Sequence, residues 1–141
     1  MTKFIFDSIN SINEEDNFKN KIFLTFDVDW ALDEVIDDTI NLLNDFELKA
    51  TFFITHKGDY LKKLKEKSNY ELGIHPNFNN LLFNNNNNLS CESIIENLID
   101  IVGNPKSIRS HHLTQSSSLL NLFSKYNINY DCNSFIPYQS K

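Results

Sequence analysis

The sequence predicts an α/β fold in which a parallel sheet forms a partial (β/α) barrel. Short apolar runs recur along the chain and suit strands that are buried on both faces. Stretches with an apolar stripe at helical spacing separate these runs. This alternation is typical of parallel strands joined by helical crossovers. About five strands and their intervening helices can be placed.

The first unit runs from a strand over residues 22–26 into a helix. The strand is β-branched or aromatic with one exception, and it is followed by Asp27 and Asp29. Because side chains alternate along a strand, both carboxylates are expected on the same side. The following helix is predicted to bury one apolar stripe, made of Leu32, Val35, Ile36, Ile40, Leu43 and Phe46.

The second and third strands are predicted over residues 49–56 and 70–75. A short charged helix around residues 60–67 joins them, and Pro76 ends the third strand. The Asn-rich residues 77–88 then predict a long loop.

The last two strands are predicted over residues 106–110 and 129–135. The helix before the fourth strand begins after the N-cap Ser90 and ends at Gly103. The helix before the fifth strand covers residues 116–126, with an inward face made of Leu119, Leu120, Phe123 and Tyr126.

Length and composition limit the fold. The chain has 141 residues and 40% hydrophobic content, which suits one core. A closed barrel usually needs about 200 residues or more. We therefore expect a fragment or an open barrel, with residues 1–20 as a polar N-terminal extension to a domain over residues 21–141.

Charge and cysteine content narrow the classes of function. The net charge is −6 and there is no basic run, which argues against nucleic acid and anionic membranes as partners. Residues 1–20 lack the apolar core of a signal peptide, and no stretch reaches membrane-spanning length. Cys91 and Cys132 match no metal or redox spacing. A cytoplasmic protein with reduced cysteines is the expectation.

Polar side chains stand at the ends of the predicted strands. Parallel α/β sheets place their chemistry at the carboxyl ends of the strands. One carboxylate, one imidazole and one further donor would hold a catalytic metal and leave a position for water. A second carboxylate could accept a proton from that water. The strand-end candidates are Asp27, Asp29, Thr55, His56, His75, Arg109, Ser110, His111, His112, Asp131 and Asn133.

Several of these segments resemble the polysaccharide deacetylases of the NodB homology type. Residues 25–29, Thr-Phe-Asp-Val-Asp, look like the first motif of that family, with its usual adjacent acids spread by Val28. Residues 50–54 are similar to the second strand of the family, and residues 71–75 resemble the lead-in to its second motif. With Arg109 at the third motif, the pattern is closest to the WbmS-like branch, which is associated with surface-polysaccharide biosynthesis.

The resemblance implies a role for each matching residue. Asp27 would be the catalytic base, oriented by Arg109. Asp29 and His75 would bind a divalent metal, most simply Zn²⁺. The family has a second His four residues after the first, and Asn79 stands at that position, which makes it the implied third ligand. His75 and Asn79 would share a face if the chain turned helically after Pro76.

Other residues fill roles that the resemblance leaves open. The family motif that supplies the general acid, Leu-x-His, would lie beyond Lys141, so His111 or His112 is a candidate substitute. We assign His111 to catalysis, and Trp30, His56 and His112 to substrate contacts. Each residue also has a plain structural interpretation, such as helix capping for Asp27 and Asp29 or a salt bridge for Arg109.

The function that the sequence favours is metal-dependent hydrolysis of an N-acyl group on a sugar or surface-polysaccharide intermediate. A different interpretation is a non-catalytic sugar-binding or assembly module of the same fold. A third is a hydrolase for a small non-sugar amide. Carbohydrate is the expected partner, and no residue pattern identifies a protein partner.

Overall fold

The computed structural model describes residues 3–15, 18–83 and 89–134. Five parallel strands form one curled half-barrel sheet in the order β3-β4-β5-β6-β7, and β1 and β2 form a separate parallel pair. The strands are β1 Ile5–Asp7, β2 Lys21–Phe23, β3 Thr25–Asp27, β4 Ala50–Ile54, β5 Tyr70–Ile74, β6 Ser107–Ile108 and β7 Tyr130–Asp131. The helices are α1 Asp33–Asp45, α2 Tyr60–Lys65, α3 Asn79–Phe83, α4 Cys91–Val102 and α5 Ser117–Lys125. The predicted fold class is therefore confirmed.

Several predicted elements differ from the structure, and β6 and β7 cover only two residues each of the strands predicted over residues 106–110 and 129–135. The single strand expected over residues 22–26 divides at Leu24, because its first half pairs with β1 and its second half pairs with β4. The expected Asn-rich loop contains α3, while residues 84–88 lie outside the described chain. Residue 135 of the predicted fifth strand also lies outside it.

The two faces of the sheet have different partners. Alternation along β4 sends Phe52 and Ile54 to the helix-covered face, where they join the buried apolar core with residues of α1 and α4. Phe53 points to the opposite, concave face. The strands therefore separate an apolar outer core from an inner face that carries polar side chains.

The buried Glu71 carboxylate organises the inner face near the amino ends of the strands. It accepts hydrogen bonds from Thr51 Oγ1 at 2.7 Å, Ser107 Oγ at 2.8 Å and the backbone N–H of Asn10 at 2.9 Å. The amide of Ile9 donates to Thr51 Oγ1 at 3.0 Å. The segment after β1 is thus hydrogen-bonded to β4 and β5, which satisfies polar groups that would be costly to bury alone.

The helices bury narrower stripes than the sequence predicted. Ile36, Ile40 and Leu43 of α1 are buried as expected. Leu32 and Phe46 are exposed because they flank the helix as its end residues, and Val35 is also exposed. A helix lying on a sheet buries one face, so the outer edges of a wide apolar stripe stay in water.

The last two helices follow the same rule. Leu119 and Phe123 of α5 are buried, whereas Leu120 is exposed, so the prediction that Leu120 faces inward is wrong. The predicted ends of α4 are confirmed, with a capping box between Ser90 and Ser93 and a C-cap at Gly103.

Leu42 and Leu43 give a matched test of the α1 face, because the first is 58% exposed and the second 4% exposed. We expect Leu43→Ala to lower the free energy of unfolding by about 2–5 kcal/mol, since it leaves a cavity in the core. Leu42→Ala should change it by about 0.5 kcal/mol or less. Urea denaturation measures both values. Equal losses in the two variants would contradict this orientation of α1.

Candidate metal centre

The backbone hydrogen-bond ladder continues past the ends of the central strands. These bonds fix the chain direction where the sequence-predicted site residues begin. They run from the amide of Val28 to Phe53 O at 3.0 Å, from His75 to Ile54 O at 2.8 Å, from Arg109 to Ile74 O at 3.1 Å and from His111 to Pro76 O at 2.9 Å. The side chains that follow β3, β5 and β6 therefore meet at one edge of the sheet.

Asp29, His75 and His111 form a cluster at this edge. Asp29 Oδ1 lies 3.2 Å from His75 Nε2 and 3.1 Å from His111 Nδ1. One ligand atom from each of the three residues lies within 4.8 Å of the other two. Ligand atoms at zinc-bond lengths around a tetrahedral ion are about 3.3 Å apart. The donor set and its spacing therefore fit a divalent metal such as Zn²⁺.

Asp29 reaches the cluster through a left-handed backbone conformation. Strand β3 ends at Asp27, and Asp29 has a φ of 47°. Aspartate tolerates this region better than most residues. His56 Nδ1 lies 3.0 Å from the Asp29 carbonyl oxygen, next to this turn. Strand alternation, from which the sequence predicted a shared side for the two acids, does not extend to Asp29.

His75 is almost fully buried, and its two ring nitrogens have different surroundings. Nε2 points at Asp29, whereas Nδ1 has no hydrogen-bond partner within the described residues and lies 3.8 Å from Asp27 Oδ1. Burial lowers the pKa of His75 from its usual value, against the opposing effect of Asp27 and Asp29. A neutral imidazole keeps the lone pair that a metal requires. A metal on Nε2 would leave Nδ1–H facing the Asp27 carboxylate, a common arrangement around metal-bound histidines.

Arg109 fixes the second carboxylate. One guanidinium nitrogen, Nη1, donates to Asp27 Oδ1 at 3.0 Å and to Thr25 Oγ1 at 3.1 Å. Nε donates to the Cys132 carbonyl oxygen at 3.3 Å, and the guanidinium lies 4.6 Å from the centre of the Phe53 ring. The structure thus brings together the Asp27 and Arg109 that the sequence paired.

Gly73 makes room for the ring beneath Arg109. A Cβ at this position would lie 2.5 Å from Ser107 Oγ and 2.7 Å from the Phe53 ring. Such distances are shorter than side chains tolerate, so Phe53 would have to move. The glycine of the Glu-Leu-Gly-Ile-His run therefore supports the Arg109 position through Phe53.

Asn79 makes a different contact from the one that the spacing argument assumed. Residues 76–78 are not helical and α3 begins at Asn79, so Asn79 and His75 do not share a helical face. Asn79 Nδ2 lies 3.1 Å from His112 Nδ1. The His112 ring in turn packs on the His111 ring, with centroids 4.1 Å apart. The ligand role of Asn79 stays a prediction.

His111 stands in the cluster, although the sequence predicts a catalytic role for it. The Arg-Ser-His run placed it two residues beyond Arg109, but only the bend that ties its amide to Pro76 turns its ring toward Asp29. Trp30 lies edge-on to His111 with ring centroids 5.1 Å apart. Trp30, His56 and His112, the predicted substrate contacts, thus all border the cluster residues Asp29 and His111.

Comparison with known proteins identifies the family. A family model described as WbmS-like polysaccharide deacetylase matches residues 24–141. The chain belongs to this family. The sequence-based resemblance to the WbmS-like polysaccharide deacetylases is thus confirmed, and the family is one of hydrolases. No curated protein sequence matches at a significant level.

A solved structure of a WbmS-like protein has the same fold. It is WbmS of Bordetella bronchiseptica, whose description proposes that it is a polysaccharide deacetylase involved in O-antigen biosynthesis. The two share 37% sequence identity with a TM-score of 0.87, over 94% of the present chain. The present chain spans 55% of the length of that WbmS chain.

Among the described residues, no helix has both the length and the apolar character needed to cross a bilayer.

Zinc-dependent thermal stability tests which residues hold the metal. Zinc at about one hundred times its dissociation constant should stabilise the wild type by roughly 2.7 kcal/mol. We expect Asp29→Ala and His111→Ala to lose this gain, because each removes a cluster atom. Asn79→Ala should retain it. Differential scanning calorimetry with and without zinc measures the shift.

The same experiment separates the two candidate third ligands. Loss of the zinc response in Asn79→Ala, with the response kept in His111→Ala, would restore the ligand set implied by the motif spacing. Exposed Asn41 on α1 provides the control, and Asn41→Ala should respond to zinc like the wild type.

Proposed function

We propose that this chain is a metal-dependent hydrolase that removes an N-acyl group, of the acetyl type, from a sugar of a surface polysaccharide or its precursor. The observation that carries the proposal is the Asp27–Arg109 pair beside the Asp29–His75–His111 cluster. Three protein ligands leave a coordination position open, as catalytic rather than structural zinc sites do. Family membership supports deacetylation as the reaction.

The residues divide the work of amide hydrolysis between them. A divalent metal held by Asp29, His75 and His111 would polarise the acyl carbonyl and lower the pKa of a water molecule. Asp27 accepts a proton from the attacking water. The Nη1 and Nε contacts of Arg109 hold that carboxylate in one orientation. Water adds to the carbonyl carbon, the C–N bond breaks, and the products are a carboxylate and a protonated amine, which together hold both protons of the water.

The same arrangement indicates which residue supplies the proton to the leaving amine. A His111 nitrogen that binds a metal has no proton to donate, so ligation takes the place of the general-acid role expected for His111. Among the described residues, we assign the return of the proton to Asp27, which gains one when water attacks. Proton uptake and release by one carboxyl group balance over the cycle.

The description of one relative supports the substrate class. WbmS of Bordetella bronchiseptica is described as involved in O-antigen biosynthesis. O-antigens are surface polysaccharides, so an N-acylated sugar of that class is the proposed substrate. The polar residues around Trp30 are compatible with a carbohydrate.

Asp27→Asn tests the role of the base. We expect its turnover of an N-acetylated oligosaccharide to fall at least about 100-fold, because the side-chain amide of the new asparagine cannot accept the proton. The release of free amine measures the turnover. Its stabilisation by zinc should remain. Asp38→Asn, at an exposed position of α1, is the matched control and should keep full turnover. Unchanged turnover in Asp27→Asn would refute the assignment.

Arg109→Lys tests the positioning of that base. Lysine keeps the charge but loses the planar set of donors that Arg109 uses toward Asp27, Thr25 and Cys132. We expect a lower kcat with little change in KM and an intact zinc response. A change confined to KM would mean that Arg109 contacts the substrate instead.

A further inference from the structure

A cleft of about 480 Å³ opens beside the cluster of Asp29, His75 and His111. It lies between the turn after β3, the segment after β5 and helix α4, and His75 forms part of its wall. Its volume is in the range of small-molecule sites. Because His75 belongs to both the cleft and the cluster, a molecule in the cleft would reach the proposed reaction centre.

The polar lining of the cleft consists of uncharged groups apart from His75. Amides come from Asn77, Asn80 and Asn97, and hydroxyls come from Thr55 and Ser93. No Lys, Arg, Asp or Glu lines it within the described chain. An amide both donates and accepts hydrogen bonds, which suits sugar hydroxyls. A phosphate or carboxylate would find no positively charged Lys or Arg partner there.

Three of these groups are available for a ligand. Asn80 and Asn97 are exposed, and neither side chain makes a hydrogen bond with another described residue. Thr55 Oγ1 is buried and has no hydrogen-bond partner among the described residues. An unpartnered buried hydroxyl is costly unless something binds it. A sugar hydroxyl entering the cleft could supply that partner.

Trp30 provides a flat surface at the mouth of the cleft. Its side chain is 63% exposed although it is the largest apolar group near the cluster. The π face of an indole carries partial negative charge, which attracts the C–H groups on the apolar face of a sugar ring. The edge contact with His111 holds the indole next to the proposed metal ligands.

We propose that this cleft is the subsite for one uncharged sugar ring, packed on Trp30 and hydrogen-bonded through Asn80, Asn97 and Thr55. The assignment of this ring to the substrate rests on the proposed function. The specificity it predicts is for neutral N-acetylated sugars over those that carry a phosphate or carboxylate on the same ring. The N-acyl group would extend along His75 toward the other two cluster residues, Asp29 and His111.

Fluorescence tests the proposal directly, because Trp30 is the single tryptophan of the chain. The probes are N-acetylglucosamine and N-acetylglucosamine 1-phosphate, titrated into the full chain. We expect a saturable change in Trp30 fluorescence with the neutral sugar, and weaker binding of the sugar phosphate. Asn97→Ala should weaken neutral-sugar binding about three- to tenfold, the usual effect of one hydrogen bond. The matched control Asn41→Ala should leave affinity unchanged.

The outcomes separate this proposal from the proposed function. Asp29→Ala should lose zinc and still bind the sugar. Sugar binding by the zinc-loaded wild type without any hydrolysis would support the subsite and count against the reaction alone. No saturable fluorescence change would overturn the subsite. Equal affinity in Asn97→Ala and the wild type, or tighter binding of the phosphate, would also overturn it.

Discussion

The backbone ladder that runs on past the strands is the constraint on which the site depends. The first backbone N–H after a central strand still donates to a carbonyl oxygen of the neighbouring strand. The N–H of His75 donates to Ile54 O, and the N–H of Arg109 donates to Ile74 O. These bonds set where each functional side chain leaves the backbone. Parallel register alone brings strand ends to one edge. The extra bonds fix the backbone at that edge, so that Asp29 Oδ1 lies about 3 Å from one ring nitrogen each of His75 and His111.

The inner face of the half-barrel supports this edge from below. Gly73 leaves space for Phe53, Phe53 lies under the Arg109 guanidinium, and Arg109 holds Asp27. Further toward the amino ends, Glu71 ties β4 and β6 to the segment after β1. A purely apolar core could pack the sheet equally well, but it would not orient a carboxylate. The polar inner face is therefore a part of the site rather than of the apolar core.

Sequence reasoning succeeded where residue type and strand position decide the outcome. The apolar runs located the central strands, and Asp27, Asp29, His75 and Arg109 stand out because charged groups follow buried strands. It failed where local backbone conformation decides. The left-handed conformation of Asp29 and the bend that brings His111 to Asp29 leave no periodic signal. A helical turn directly after Pro76, which would bring Asn79 beside His75, does not form, and α3 begins at Asn79 instead.

Asp29, His75 and His111 are proposed to bind one divalent ion and to leave one coordination position vacant for the reaction. X-ray absorption spectroscopy on the zinc-loaded protein measures this most directly, because imidazole rings give a distinct scattering pattern. We predict one zinc per chain with two imidazoles and two further oxygen donors at about 2.0–2.1 Å. One imidazole or none, or a six-oxygen shell of weakly held water, would contradict the account.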